Sequence, residues 1–323
     1  LSPGSTAIDP STHEAIGNDP SEPVDIYAEN LDILRFPPDR FQRIFREYLT
    51  EKYAQQPPDL IVLVFVGNLA IAGNLLNELF PRTPVIVAGA TEEEVRADQF
   101  RGPVGGLAFR VNPHETLQLI FRLQPETRRV VVIGGAADVD RQVLDRVKQA
   151  ARSFAGQAEF EFWNNRSMAD LRQAVSALPP QTANLFSRMF RDGAGQAVIS
   201  TQVGQSIAQW ANVPVYVMTD TALGTGAVGG SVASVEVIGK RAGELARLVL
   251  SGTALASLPM VSDTGSVPMF DWRALKRWGI SESRLPPNSI VRFRPQSLWE
   301  EYRWYFIGAF ILVMADMPLH PVP

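Results

Sequence analysis

Few side chains in this sequence are placed to do chemistry. Its three histidines, His13, His114 and His320, lie far apart. His114 follows Asn112-Pro113 at a predicted helix start, where a capping role accounts for it. Glu92-Glu93-Glu94 would offer a metal three carboxylates, yet acidic residues opening a helix are explained by the positive end of its dipole. No Gly-x-Ser-x-Gly elbow and no phosphate-binding P-loop occurs. Gly224-Thr225-Gly226-Ala227-Val228-Gly229 satisfies Gly-x-Gly-x-x-Gly, but a dinucleotide site must open a helix. Here Gly230 to Val235 reads as extended chain. The absence of cysteine excludes disulfides, thiolate metal sites and cysteine nucleophiles. No metal and no cofactor is expected.

A second set of residues points to binding. Gly67-Asn68, Gly89-Ala90 and Gly134-Gly135 each close a predicted parallel strand. In open α/β sheets ligands bind along that edge, because helix N-termini there present unpaired N–H groups. Such groups suit a carboxylate or another anion, although a glycine at a strand end also serves a tight turn. Asp220, between Thr219 and Thr221, ends another strand and is placed to accept a hydrogen bond from a ligand or from its own turn. Trp163, Asn164 and Asn165 end a strand as well, as a surface turn or as the wall of a small polar site. The expected ligand set is therefore Gly67, Asn68, Gly89, Gly134, Gly135 and Asp220. Gly224, Gly226, Gly229 and Gly230 are expected to give freedom to a connection beside the cleft.

The elements that must position these residues alternate. Residues 24–28 read as a short strand. Pro38 opens a helix with Phe41, Ile44, Phe45, Tyr48 and Leu49 on one face. Leu60 to Val66 and Pro84 to Ala88 are apolar runs typical of strands buried on both faces, with a helix from Leu69 to Phe80 between them. His114 to Leu123 is helical, Val130 to Ile133 a strand, and Asp138 to Phe154 a long amphipathic helix. Glu159 to Trp163, Ala183 to Met189 and Val213 to Met218 read as strands. Helices are expected near Met168 to Leu178, Gln202 to Trp210 and Gly239 to Leu250. This grammar means parallel sheets with right-handed crossovers. The expected fold is α/β, two Rossmann-like lobes joined by a multi-strand hinge. Lobe 1 takes residues 24–109 and 222–262, lobe 2 residues 110–221 and 263–294. Nothing in residues 1–23 supplies the first strand that a doubly wound sheet places in its middle.

Composition fits a globular chain with a sizeable core. A net charge of −4 and no dense Lys/Arg cluster argue against nucleic acid. The first 23 residues, rich in Pro, Ser, Gly, Asp and Asn, read as a disordered lead-in without the apolar core of a secretory leader. Residues 295–304 carry Trp, Tyr and Arg ahead of an uncharged run, 305–315, the pattern of a chain approaching a bilayer. That run is shorter than the roughly 20 residues a span requires. It is expected to be a truncated transmembrane helix, followed by a proline-rich tail over 316–323.

The order Asp59-Leu60-Ile61-Val62, Phe80-Pro81-x-Thr83-Pro84-Val85, Gly224-x-Gly226-x-Val228-Gly229-Gly230, Phe270-Asp271-Trp272-Arg273-x-Leu275 and Trp278-Gly279-Ile280 carries a resemblance. So does Arg292-Phe293-Arg294-Pro295-x-Ser297-Leu298-Trp299-Glu300-x-Tyr302-Arg303-Trp304-Tyr305. The chain resembles the extracytoplasmic sensor region of bacterial histidine kinases, itself similar to ABC transporter substrate-binding proteins of the periplasmic-binding-protein type I fold. The resemblance implies a module on the periplasmic side of the inner membrane that closes on a small ligand (an amino acid, carboxylate or purine-like compound). It implies anchoring through the C-terminal helix and allows a homodimer. No kinase domain is present, so this chain is expected to be no enzyme itself. An ABC transporter substrate-binding component is the alternative, and an α/β enzyme acting in the interlobe cleft a second one.

Overall fold

The computed structural model describes residues 11–17, 23–30, 38–64, 69–90, 95, 99–108, 111–258 and 266–295. Their strands form two separate sheets. Helices α1 (residues 11–17) and α2 (Pro38–Lys52) come first. Strands β1 (Ile61–Val64), β2 (Val85–Ala90) and β3 (Val104–Ala108) make a three-stranded parallel sheet in that order. Helix α3 (Leu69–Leu79) covers one face of it, with Leu69 and Leu76 against Val85 and Val87.

The larger sheet follows. Its elements are α4 (Pro113–Leu123), β4 (Arg129–Ile133), α5 (Asp138–Ala151), β5 (Glu159–Trp163), α6 (Met168–Val175) and β6 (Thr182–Phe186). Then come α7 (Ser200–Trp210), β7 (Val215–Val217), β8 (Gly229–Ala233), α8 (Val235–Leu250), β9 (Ser266–Asp271), α9 (Trp272–Arg277) and β10 (Ile290–Arg292). Seven strands run in the order β10-β9-β8-β7-β6-β4-β5, parallel except where β8 meets β9. Strand β4 shows why its sequence is a continuous apolar run. Val130 and Val132 pack with α4 and α5, while Val131 and Ile133 pack with α6 and α7, so successive side chains enter two different cores.

Helix α8 departs from this sheet. After β8 it lies on the three-stranded sheet, where Val235, Ile238 and Ala242 meet Ala88 and Leu107. The chain then returns to the large sheet at Ser266, directly opposite Ala233 in the β8–β9 register. The return toward the small lobe therefore starts at Ser234, not at 222. Residues 229–233 pair with β7 and β9, which fixes them in the large sheet.

Other expectations need correction. Residues 24–28 join no sheet, and Tyr27 is 61% exposed. The third strand of the small sheet is β3, which its glycines hid. A Cβ on Gly106 would overlap the Val87 carbonyl, and one on Gly105 would come within 2.8 Å of Leu255. Strand β2 runs on through Gly89, whose φ of 93° marks a register shift between Ala88 and Ala90. The lead-in is not wholly unstructured: α1 buries Thr12 and Ile16, and Thr12 donates to the Gly239 carbonyl at 3.1 Å. Helix α2 forms as expected, but of its apolar face only Leu49 is buried, and Ile44 is 49% exposed. Residues 296–323, with the expected membrane helix, lie outside the described residues. Among the described residues no helix is long and apolar enough to cross a membrane.

Candidate functional site

Strands β4, β6 and β7 are parallel, so their carboxyl ends share one edge of the sheet, and that of β7 lies beside the crossing into α8. At the end of β4 the backbone donors are already bonded. Gly134 N donates to Trp163 O at 2.9 Å, Gly135 N to Arg188 O at 2.9 Å and Ala136 N to Arg191 O at 2.8 Å. Ala137 N donates to Asp140 Oδ2 at 3.3 Å. Gly134 and Gly135 therefore have no N–H to offer an anion. Gly135 is required for another reason: a Cβ there would overlap the Asp140 carboxylate.

Asp140 organises this corner, and sequence reasoning missed it. It has no exposed surface. Its Oδ2 accepts from Phe190 N at 2.9 Å and Arg191 N at 3.4 Å, and Arg188 Nε stands 3.7 Å from Oδ1. Burial pushes its pKa up, opposed by the Phe190 N–H, the Arg188 charge and the Arg191 and Ala137 N–H groups. Asp192, also buried, draws the same loop into a turn by accepting from Met168, Ala194 and Gln196 N–H groups. The signal was present in the polar stretch around Arg188, Arg191 and Asp192. It belongs to a loop that seals the sheet edge.

Asp220 lies where the expectation put it, at the end of β7 beside a crossing. Its Oδ2 accepts from Ser234 Oγ at 2.8 Å and Val235 N at 3.1 Å, tying β7 to the first turn of α8. Its Oδ1 is buried and accepts no hydrogen bond among the described residues. Burial raises its pKa; Ser234, the Val235 N–H and Arg292 oppose that, and Glu236 adds to it. A carboxylate oxygen left without a donor among the described residues can take one, such as an amine or hydroxyl.

The glycine segment splits in two. Gly224 and Gly226 have φ of 84° and 114° and form the turn after β7. Gly229 and Gly230 are buried inside β8, pressed against the Met269 and Val217 carbonyls, and so give closeness where freedom was expected. Gly89 sits at the end of β2 on the small sheet. Gly67 and Asn68 lie outside the described residues, as do Glu92, Glu93 and Glu94. Trp163 closes a different place: with Arg129, Glu161 and Arg166 it lines an open groove of about 430 Å³ beside β5, the edge strand farthest from β10. Its ring is covered by the Arg166 guanidinium at 4.2 Å. Among the described residues no three His, Cys, Asp or Glu side chains gather as a metal site would need.

No protein-family profile matches this chain, and no curated protein is similar to it in sequence. Solved structures are similar in fold. The ligand-free, open structure of a substrate-binding protein with adhesive properties from Clostridium difficile superposes with a TM-score of 0.62 at 15% identity, covering 90% of this chain and 95% of that one. An ABC domain in complex with L-Trp from Streptococcus pneumonia gives 0.59 at 14% identity, covering 90% and 97%. A periplasmic sugar-binding protein of an ABC sugar transporter from Legionella pneumophila gives 0.54 at 14% identity, covering 82% and 96%. At these identities the likeness establishes the fold: an α/β, parallel-rich architecture of the periplasmic-binding-protein type I kind.

Proposed function

We propose that this chain binds a small solute between its two sheet units, as a substrate-binding module that works by closure. The observation that carries the reading is the crossing at Asp220. There a buried carboxylate oxygen that accepts no hydrogen bond among the described residues and the start of α8 meet at the junction of a large and a small α/β unit, in a fold shared along most of the chain with solute binders. A ligand shifts an open–closed equilibrium only by its difference in affinity for the two forms. Asp220, reached from both units, is placed to supply such a difference. Delivery to an ABC permease is the role the similar structures favour.

A sensor role is the second reading, and one specific observation favours it. The sequence from Leu298 to Tyr305, with two Trp, two Tyr and an Arg, leads into an uncharged run, as the chain of a receptor entering a bilayer does. In either role the module works outside the cytoplasmic membrane.

A thermal-shift screen of amino acids, small carboxylates, sugars and purines tests binding. A true ligand at a hundredfold excess over Kd stabilises the native form by about 2.7 kcal/mol. Asp220→Ala is expected to abolish the shift for an amine or hydroxyl ligand. No shift with any class, or turnover of a compound in the screen, overturns the reading. A kinase core in the same reading frame would decide for sensing, a neighbouring permease gene for transport.

A further inference from the structure

The last described strand, β10, is fastened at the same crossing by groups that solute binding does not require. Asp271, 1% exposed, holds Arg273 through its backbone N at 2.9 Å, its Nε at 3.2 Å and its Nη2 at 2.9 Å. Arg273 Nη2 also donates to the Gly224 carbonyl at 3.0 Å. Its guanidinium lies 4.6 Å from the ring of Phe293. Phe293 packs on Gly224 so closely that a Cβ there would come 2.7 Å from Phe293 Cζ. Phe293 itself has a φ of 59°, a conformation that bulky L residues rarely adopt, while its side chain stays 44% exposed. Such an outlier persists only where its surroundings hold it.

One residue earlier, Arg292 reaches across the units. In register it is the partner of Asp271 in the large sheet, yet its Nη2 stands 3.2 Å from Glu236 Oε2 in the first turn of α8. Helix α8 carries the small sheet, through Val235, Ile238 and Ala242. Asp220 feels both Arg292 and Glu236. The segment that leaves the described fold is thus bonded to both moving parts.

We propose that Arg292 and Phe293 form a relay that couples the angle between the two sheet units to the direction in which the chain leaves after Arg294. The relay rests on the reading that the units move relative to one another. Rotation that draws α8 away from β10 breaks the Arg292–Glu236 pair, leaving Phe293 on the Gly224–Arg273 seat with the Arg294–Glu282 pair one residue on, both in the large unit. The pair is solvent-exposed at both ends, so its contribution is small and graded. Removing it changes the ratio of open to closed forms by up to about fivefold.

The sequence has no cysteine, so introduced ones are the only labelling sites. Spin labels on Glu244→Cys and Gln149→Cys, exposed positions on α8 and α5, read the angle between the units in the full chain. Labels on Gln149→Cys and Pro295→Cys read the exit segment against the large sheet. Glu236→Arg is expected to change the weights of both distance distributions, and Glu236→Arg combined with Arg292→Glu to restore both. Two interunit spacings whose weights shift while the exit distance stays fixed overturn the relay and leave closure standing. Two spacings with identical weights in every variant do the same. A single sharp interunit distance in all variants removes the relay and closure together.

Discussion

The two sheet units are built from the same grammar and are held very differently. In the large unit β4 is flanked by β6 and β5 and covered on both faces, and Val130 to Ile133 have no exposed surface. In the small unit β1 is an edge strand whose four residues are all partly exposed, and α2 leaves Ile44 and Tyr48 of its apolar face in solvent. The small sheet depends for one of its faces on α8, which follows five strands of the large sheet in the chain. Burying Val235 and Ile238 contributes on the order of 1.5–3 kcal/mol each, a large share of what three short strands can gain alone. The difference teaches that the large unit is the scaffold and the small unit its dependent, so local opening is expected in β1 to β3 first.

The strongest way to break that comparison is Asp140→Ala. It takes the acceptor from three part-buried N–H groups and the carboxylate from beside Arg188, and a loss of about 3–5 kcal/mol is expected in urea unfolding. If the scaffold idea holds, both units unfold together in this variant. Gly106→Val, whose side chain would collide with the β2 backbone, is expected to cost roughly 1–3 kcal/mol. Here hydrogen exchange should rise in β2 and β3 while β4 and β6 stay protected; equal loss of protection in both sheets would refute the hierarchy.

Asp220→Asn sharpens the comparison at the joint. Burial raises the folded-state pKa of Asp220, so the native state holds its proton more tightly than the unfolded chain. Its contribution is then fully favourable in acid, and stability falls as pH rises through the ordinary carboxylate range to the raised value. The asparagine variant should lose that slope and melt higher at neutral pH, with no difference at low pH. The smallest effect is expected from Ile44→Ser and Tyr48→Ser on α2. Their exposure places each within about 0.5 kcal/mol of wild type by chemical denaturation.

Much of the fold was legible because buried parallel strands announce themselves. Val130 to Ile133, Glu159 to Trp163 and the amphipathic α5 needed only periodicity. What stayed hidden has physical causes. Strand β3 carries two glycines imposed by close backbone and side-chain approach, so its composition resembled a turn. Residues 24–28 have strand composition but no partner, and a strand is a property of a pair. At the site, Gly134 and Gly135 were correctly placed at a strand end, but their donors are already bonded, Gly134 to the end of β5 and Gly135 to a loop from beyond β6, contacts between positions about thirty and about fifty residues apart. Asp140 meets its loop across about fifty residues for the same reason, whereas the place of Asp220 at a strand end follows from the strand just before it in sequence.

Ala233 and Ser266 stand opposite one another across the antiparallel β8–β9 pair, so the chain sets out on its α8 excursion and comes home through one narrow neck. Sheet pairing has already fixed the ends of that excursion. Lengthening its far tip, beyond the turn at Ser251 and Gly252, would add closure entropy only logarithmically. New sequence can accumulate there while the neck keeps its register.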